Sequence, residues 1–212
     1  MINYKNIIFD LGGVVLSIDY RKTVEAFRNL GIEDPEHVYS KSGQISLFDD
    51  FEKGEISEDR FYDSMRVLSK KDLTDQQIRD AWNAMLIGLP QQNVDFLTEL
   101  KKRHRLFLLS NTNAIHEKAY THIIKEQYGE NMLEYLFEKI YLSHHLHLRK
   151  PHPEIFNYVL SDSQLKKSET CFIDDSNQHV EGAKKTGLDA FHMKQGDLRS
   201  FFESIGIANQ FS

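Results

Sequence analysis

One cysteine, four prolines and no long basic stretch are the first things that the 212-residue chain is short of, and each shortage excludes something. Cys171 alone cannot close an internal disulfide, so a cysteine-stapled scaffold is ruled out. Its place in the apolar run Cys171-Phe172-Ile173 implies a buried, inert thiol. No run reaches the about 18 uninterrupted apolar residues that a membrane-crossing helix needs. The apolar stretch from Met1 to Leu16 is broken by Asp10 and is followed by no small-residue cleavage site, so it reads as a strand and not as a leader. A cytoplasmic location and no membrane partner are expected. The net charge of −6, with no basic cluster, makes nucleic acid a poor partner. What remains is ordinary globular composition, 40% apolar and 27% charged, in a chain long enough for one large domain or one domain with an insertion.

Four short apolar runs have the character of buried strands: Ile7 to Phe9, Leu106 to Leu109, Lys139 to Leu142 and Thr170 to Ile173. A fifth, weaker run is Asp189 to Met193. Helical patterns lie between them, at Asn93 to Lys102, Ala114 to Gln127, Pro153 to Leu160 and His179 to Thr186. That alternation predicts an α/β fold, a doubly wound, mostly parallel sheet. Gly187 fits a left-handed helix C-cap, and Gly196 or Asp197 is expected to start a terminal helix. The stretch 17–89 breaks the alternation, with helical patterns at Arg21 to Asn29, Ser46 to Lys53, Ser57 to Leu68 and Asp75 to Met85 and no convincing strand. Ser57 and Thr74 are the expected N-caps, and Gly88 with Pro90 the expected stop. The predicted organisation is an α/β core over 1–16 and 90–212, with a helical insertion over 17–89.

In an open parallel sheet, ligands bind at the carboxyl ends of the strands. Here those ends read Asp10-Leu11-Gly12-Gly13-Val14, Ser110-Asn111-Thr112 and Asp174-Asp175-Ser176, with Lys150 following the third strand. Alone, each is explained by a turn, a cap or a solvated loop. Together, three carboxylates, a hydroxyl and an ammonium on one rim suit a phosphate with a hard cation.

The set resembles the four motifs of the haloacid dehalogenase superfamily, in order and over nearly the whole chain. Phe9-Asp10-Leu11-Gly12-Gly13-Val14, Lys150-Pro151-His152-Pro153-Glu154-Ile155-Phe156 and Phe172-Ile173-Asp174-Asp175-Ser176 are most similar to the branch of sugar-phosphate phosphatases and epoxide hydrolase N-terminal domains. The resemblance implies a Rossmann-like core with a small helical cap, and a magnesium-dependent phosphohydrolase acting on small phosphorylated metabolites such as sugar or polyol phosphates. It implies Asp10 as nucleophile, forming an aspartyl-phosphate. It also implies Mg2+ on Asp10, the Gly12 carbonyl, Asp174 and Asp175, phosphate held by Ser110 and Asn111, and Lys150 offsetting charge. A monomer or weak homodimer is expected.

Position 12 departs from the usual pattern, because most phosphatases of the superfamily carry a general acid–base aspartate there. General acid–base help contributes about 10²–10⁴ in rate. Its absence predicts slow turnover, or substrates with a stabilised leaving oxygen or a hydroxyl that relays the proton. Two alternatives stand beside this reading: a metal-free dehalogenase, which adjacent Asp174 and Asp175 argue against, and a binding module that has lost efficient turnover. His144, His145 and His147 come with no cysteine and no paired helical histidine, so no zinc site is expected there. Phe48, Phe51, Phe61, Tyr62 and Trp82 read as core.

Overall fold

The computed structural model describes residues 4–32, 34–35, 47–194 and 197–207. Its five-stranded sheet is parallel throughout. It contains β1 (Asn6–Phe9), β4 (Arg105–Ser110), β5 (Lys139–Leu142), β6 (Thr170–Asp174) and β7 (Asp189–His192), in the order β5-β4-β1-β6-β7. Residues alternate sides along each strand, as the pleat requires. Ile7, Phe9, Leu106, Leu108, Cys171 and Ile173 face one apolar core, while Ile8, Phe107, Leu109 and Phe172 face the other. Both faces are therefore buried, which is why the strands read as unbroken apolar runs. Cys171 is fully buried, and burial pushes its thiol well above the usual range.

The first face is covered by α5 (Gln91–Leu100), α6 (Ala114–Tyr128), α7 (Met132–Leu136) and α11 (Leu198–Ser204). The second is covered by α9 (Pro153–Asp162) and α10 (Asn177–Lys185). The fold is the expected doubly wound α/β arrangement. Gly187 takes φ 82° after α10, a backbone position that favours glycine, and the Asp197 side chain caps α11 through the Ser200 amide. Gly196 lies outside the described residues.

Between β1 and β4 lie α1 (Tyr20–Asn29), α2 (Leu47–Glu52), α3 (Glu58–Ser69) and α4 (Asp75–Asn83). They enclose a third apolar cluster of their own, with Phe27, Phe51, Phe61, Tyr62, Met65 and Ile78 at its centre. Ser57 caps α3, and Thr74 forms a reciprocal capping box with Gln77 on α4, so both expected caps are present. The expected start of α2 at Ser46 lies outside the described residues.

One expectation is corrected. The insertion is not free of strands: β2 (Ser17–Ile18) pairs antiparallel with β3 (Leu86–Gly88) at its root. The last helix ends at Asn83, not at Met85, because the chain is drawn off to pair: Asp19 N–H donates to the Met85 carbonyl, and Met85 N–H to Thr23 Oγ1. Gly88 is thus a strand residue at φ 137° and not a helix stop. The ribbon β2–β3 gathers both chain crossings between the inserted helices and the sheet. Among the described residues no helix is long and apolar enough to cross a membrane.

Candidate active site

From β1 the chain winds outward through β4 and β5, then crosses back to β6 on the other side of β1. The reversal leaves a crevice at the carboxyl ends of β1 and β6, where open sheets bind ligands. Register brings the two acidic ends together: Phe9 pairs with Ile173, and Asp10 N–H donates to the Ile173 carbonyl at 2.8 Å. Asp10 and Asp174 therefore leave neighbouring strands side by side.

Lys150 lies between them and is wholly buried. Its Nζ donates to Asp10 Oδ1 at 2.6 Å, to Asp174 Oδ2 at 2.6 Å and to the Leu109 carbonyl at 3.0 Å, which uses all three of its protons. Burial pulls the pKa of this ammonium down, but the two carboxylates outweigh burial and hold it above the usual lysine range. Asn111 keeps the lysine in place: its side-chain amide donates to the Lys150 carbonyl and accepts from the Lys150 N–H, both at 2.9 Å. So the Asn111 side chain positions Lys150, while Ser110 and Asn111 border the cavity.

The two paired carboxylates are not equivalent. Burial raises Asp10 to about 7 against the pull of Lys150, with Asp174 and Asp175 adding to the rise. Asp174 is also penalised by burial, yet Lys150 and His179 outweigh it and hold this carboxyl well below the usual range. His179 Nδ1 lies 3.0 and 3.1 Å from its two oxygens, and the Ser176 amide donates to Oδ1 at 2.8 Å. Asp175, further out on the rim, is raised by partial burial and by Asp174.

One oxygen from each of Asp10, Asp174 and Asp175 falls within a 4.8 Å cluster. Three carboxylates against one ammonium leave surplus negative charge that a hard divalent cation would relieve, and the all-oxygen donor set suits magnesium. Gly13 makes the closeness possible. It sits at φ 79°, and a Cβ built there would lie 2.2 Å from Asp175 Oδ2. At Gly12 a Cβ would meet only the end of Ile18, at 3.1 Å.

Above the rim is a cavity of about 260 Å³ whose walls include Asp10, Gly12, Ser110, Asn111 and Asp175, with Lys150 and Asp174 buried beside it. All seven residues singled out in the sequence thus converge. Others join them, one of them from 48–56, a stretch similar to the pocket-facing segment of the sugar-phosphatase branch that does not by itself show which side chains point inward. Glu52, at the end of α2, reaches the cavity and accepts from Arg149 Nη2 at 2.7 Å, while Arg149 Nη1 lies 2.8 Å from Asp49. This ties the inserted helices to the residue beside Lys150. His116 also borders the cavity; burial lowers its pKa to about 3, so it is a neutral ring, stacked on Trp82 at 4.9 Å. His179 had one available signal, its place one helical turn past the Asp174-Asp175 pair.

Comparison with known proteins follows the same lines. Residues 7–193 match the model of the haloacid dehalogenase-like hydrolases. The chain belongs to that family. This hydrolase is 33% identical over 192 residues to a D-ribitol-5-phosphate phosphatase of Bacteroides thetaiotaomicron, covering 91% of this chain and 93% of that protein. It superimposes with a TM-score of 0.85, at 35% identity, on a haloacid dehalogenase-family enzyme of the same species solved with magnesium and inorganic phosphate, covering 94% of this chain and all of that one. It matches a family hydrolase from Porphyromonas gingivalis at 29% identity and a TM-score of 0.83, over 96% of this chain and 98% of that one.

Proposed function

We propose that this chain is a magnesium-dependent phosphomonoesterase for small polyol or sugar phosphates, with Asp10 as its covalent nucleophile. The observation that carries this reading is the meeting of Asp10, Asp174 and Asp175 oxygens within 4.8 Å, beside a buried lysine. In this reading Asp10, the Gly12 carbonyl, Asp174 and Asp175 hold Mg2+. When bound, the ion supplies positive charge that favours ionised Asp10 and offsets the charge of the phosphoryl oxygens.

The remaining chemistry belongs to the protein. A carboxylate oxygen of Asp10 attacks phosphorus as the ester P–O bond breaks, giving an aspartyl-phosphate and a released alcohol. Water then cleaves the acyl phosphate and returns the carboxylate. Ser110 and the Asn111 backbone hold a phosphoryl oxygen, and Lys150 places fixed positive charge beside Asp10 throughout. Gly12 offers no acid for the leaving alkoxide, so its proton comes through water or a neighbouring substrate hydroxyl. A polyol phosphate supplies such a hydroxyl itself, which agrees with the activity named for the Bacteroides relative.

Residues 17–89 act as a lid on the core formed by 1–16 and 90–212, and the Glu52–Arg149–Asp49 contact supports that role. A cavity of about 260 Å³ suits a metabolite and not a macromolecule. A buried single thiol supports a cytoplasmic setting. Among the described residues the exposed large apolar side chains, Tyr20, Val67, Ile87, Tyr135 and Tyr158, lie on different elements, which favours a monomer or weak homodimer. A metal-free dehalogenase would gain nothing from Asp174 and Asp175 crowding Asp10.

A panel of ribitol 5-phosphate, glucose 1-phosphate and propyl phosphate, assayed with Mg2+ and with chelator, tests the reading. Chelator and Asp10→Asn should each abolish release of phosphate, and propyl phosphate should be the poorest substrate. Chelator-resistant turnover would remove the metal from the mechanism. Propyl phosphate matching ribitol 5-phosphate would remove the hydroxyl relay.

A further inference from the structure

Away from the rim, Glu117 on the first turn of α6 meets two histidines of α8 (Ser143–Leu146), the short helix that follows β5. His144 Nε2 lies 2.9 Å and His145 Nε2 3.1 Å from the same oxygen, Glu117 Oε2, and the three ligand atoms all fall within 4.8 Å of one another. We propose that Glu117, His144 and His145 form a second metal site, selective for a divalent transition ion of the zinc type.

Bonds of about 2.0–2.1 Å from a tetrahedral zinc place neighbouring ligand atoms about 3.3 Å apart. The two separations to Glu117 Oε2 are within a few tenths of that, and the two imidazole nitrogens lie within 4.8 Å of each other. Two imidazoles and one carboxylate are a donor set for zinc or cobalt; magnesium prefers oxygen alone. His144 is buried, and its Nδ1 has no hydrogen-bond partner among the described residues, so the polar contact seen for this ring is the Nε2 directed at the cluster. Glu117 and His145 open onto a cleft of about 410 Å³ that also carries Glu134 and Glu138. It provides room for water in the fourth position.

The placement gives the site a reason to exist. Ser143, beside His144, accepts from the Thr112 N–H and donates to the Thr112 carbonyl, at 2.9 and 3.0 Å, and Thr112 borders the candidate active site. At the far end of α8, His147 Nδ1 lies 2.8 Å from the Lys53 carbonyl, and Gly54 approaches so closely that a Cβ would be 2.4 Å from the His144 carbonyl oxygen. An ion that joins α6 to α8 therefore fixes the helix that touches both the phosphate loop and the inserted helices.

Co2+ titration of the full chain, with excess Mg2+ to occupy the rim, is the test, read by the visible ligand-field absorption of nitrogen-ligated cobalt. One Co2+ should bind per chain and be displaced by Zn2+ and not by Mg2+. His145→Ala and Glu117→Gln should each weaken uptake by more than the about 10–100-fold typical of losing an outer-shell partner. Asp174→Asn should leave uptake unchanged. Wild-type Mg2+-dependent turnover in cobalt-free His145→Ala would show that this variant is folded. Displacement by Mg2+, loss of uptake in Asp174→Asn, or undiminished uptake in both Glu117→Gln and His145→Ala would overturn the proposal.

Discussion

Replacing Lys150 by methionine keeps a straight buried side chain and removes only the ammonium. Asp10 Oδ1 and Asp174 Oδ2, each 2.6 Å from Nζ in the native protein, would then face one another uncompensated, and the Leu109 carbonyl would lose its donor. Removing one member of a buried ion pair costs about 3–5 kcal/mol. Part of that is recoverable if one carboxylate takes up a proton, and Asp10 is the one placed to do so. Burial already raises it to about 7, and Lys150 opposes that rise, so without Lys150 it climbs further. The sign follows from linkage. An unfolded aspartate loses its proton near pH 4, whereas folded Asp10 retains it to a higher pH. Between those limits folding takes up a proton, so this contribution is present at low pH and lost as pH rises through the folded value. Urea unfolding in chelator should therefore show Lys150→Met less stable by about 3–5 kcal/mol near pH 8.5, with a smaller deficit near pH 6. Added Mg2+ should restore part of the loss, while phosphatase turnover stays undetectable. A deficit equal at both pH values, or turnover close to wild type, would refute the electrostatic account of this lysine.

Three further outcomes follow from the same coordinates. Gly13→Ala forces a left-handed backbone at φ 79° on a residue with a Cβ and drives that Cβ into Asp175. It should cost about 1–2 kcal/mol in thermal or urea unfolding and weaken Mg2+ binding measured by calorimetry. His116, held neutral by burial with its pKa down to about 3, contributes stability at neutral pH that is lost as pH falls from about 6.5 toward 3, because the unfolded chain gains the proton first. His116→Gln should therefore flatten the acid side of the stability–pH curve. In Gly12→Asp the added Cβ meets only Ile18, so the chain should fold and gain a leaving-group acid. Turnover of propyl phosphate should rise toward the about 10²–10⁴ that such an acid contributes, while p-nitrophenyl phosphate, whose leaving group needs no proton, changes little.

The sheet and its acidic rim were legible because parallel strands buried on both sides produce short apolar runs, and the chemistry sits where those runs stop. Asp10, Ser110, Asp174 and the lysine after β5 are all found this way. Contacts made between distant elements were not legible. Glu52 meets Arg149 across 97 residues, and His144 meets Glu117 across 27, with no local pattern linking either pair. The histidine run was set aside because no cysteine or paired helical histidine joins it, and the fold brings Glu117 to it from another helix. The strands Ser17–Ile18 and Leu86–Gly88 are too short for alternation to register, and the helical period of Asp75 to Asn83 runs straight into the second of them.

The position of β1 has a consequence for how the molecule can come apart. It is held on both sides, by β4 and by β6, and each of those is held again by an outer strand, whereas the ribbon of Ser17–Ile18 with Leu86–Gly88 has a single pairing. Native-state hydrogen exchange should reach the ribbon amides through small openings and the Asp10 amide only through complete unfolding. In the proposed reading, a lid that opens at this ribbon leaves the sheet that carries the reacting groups intact.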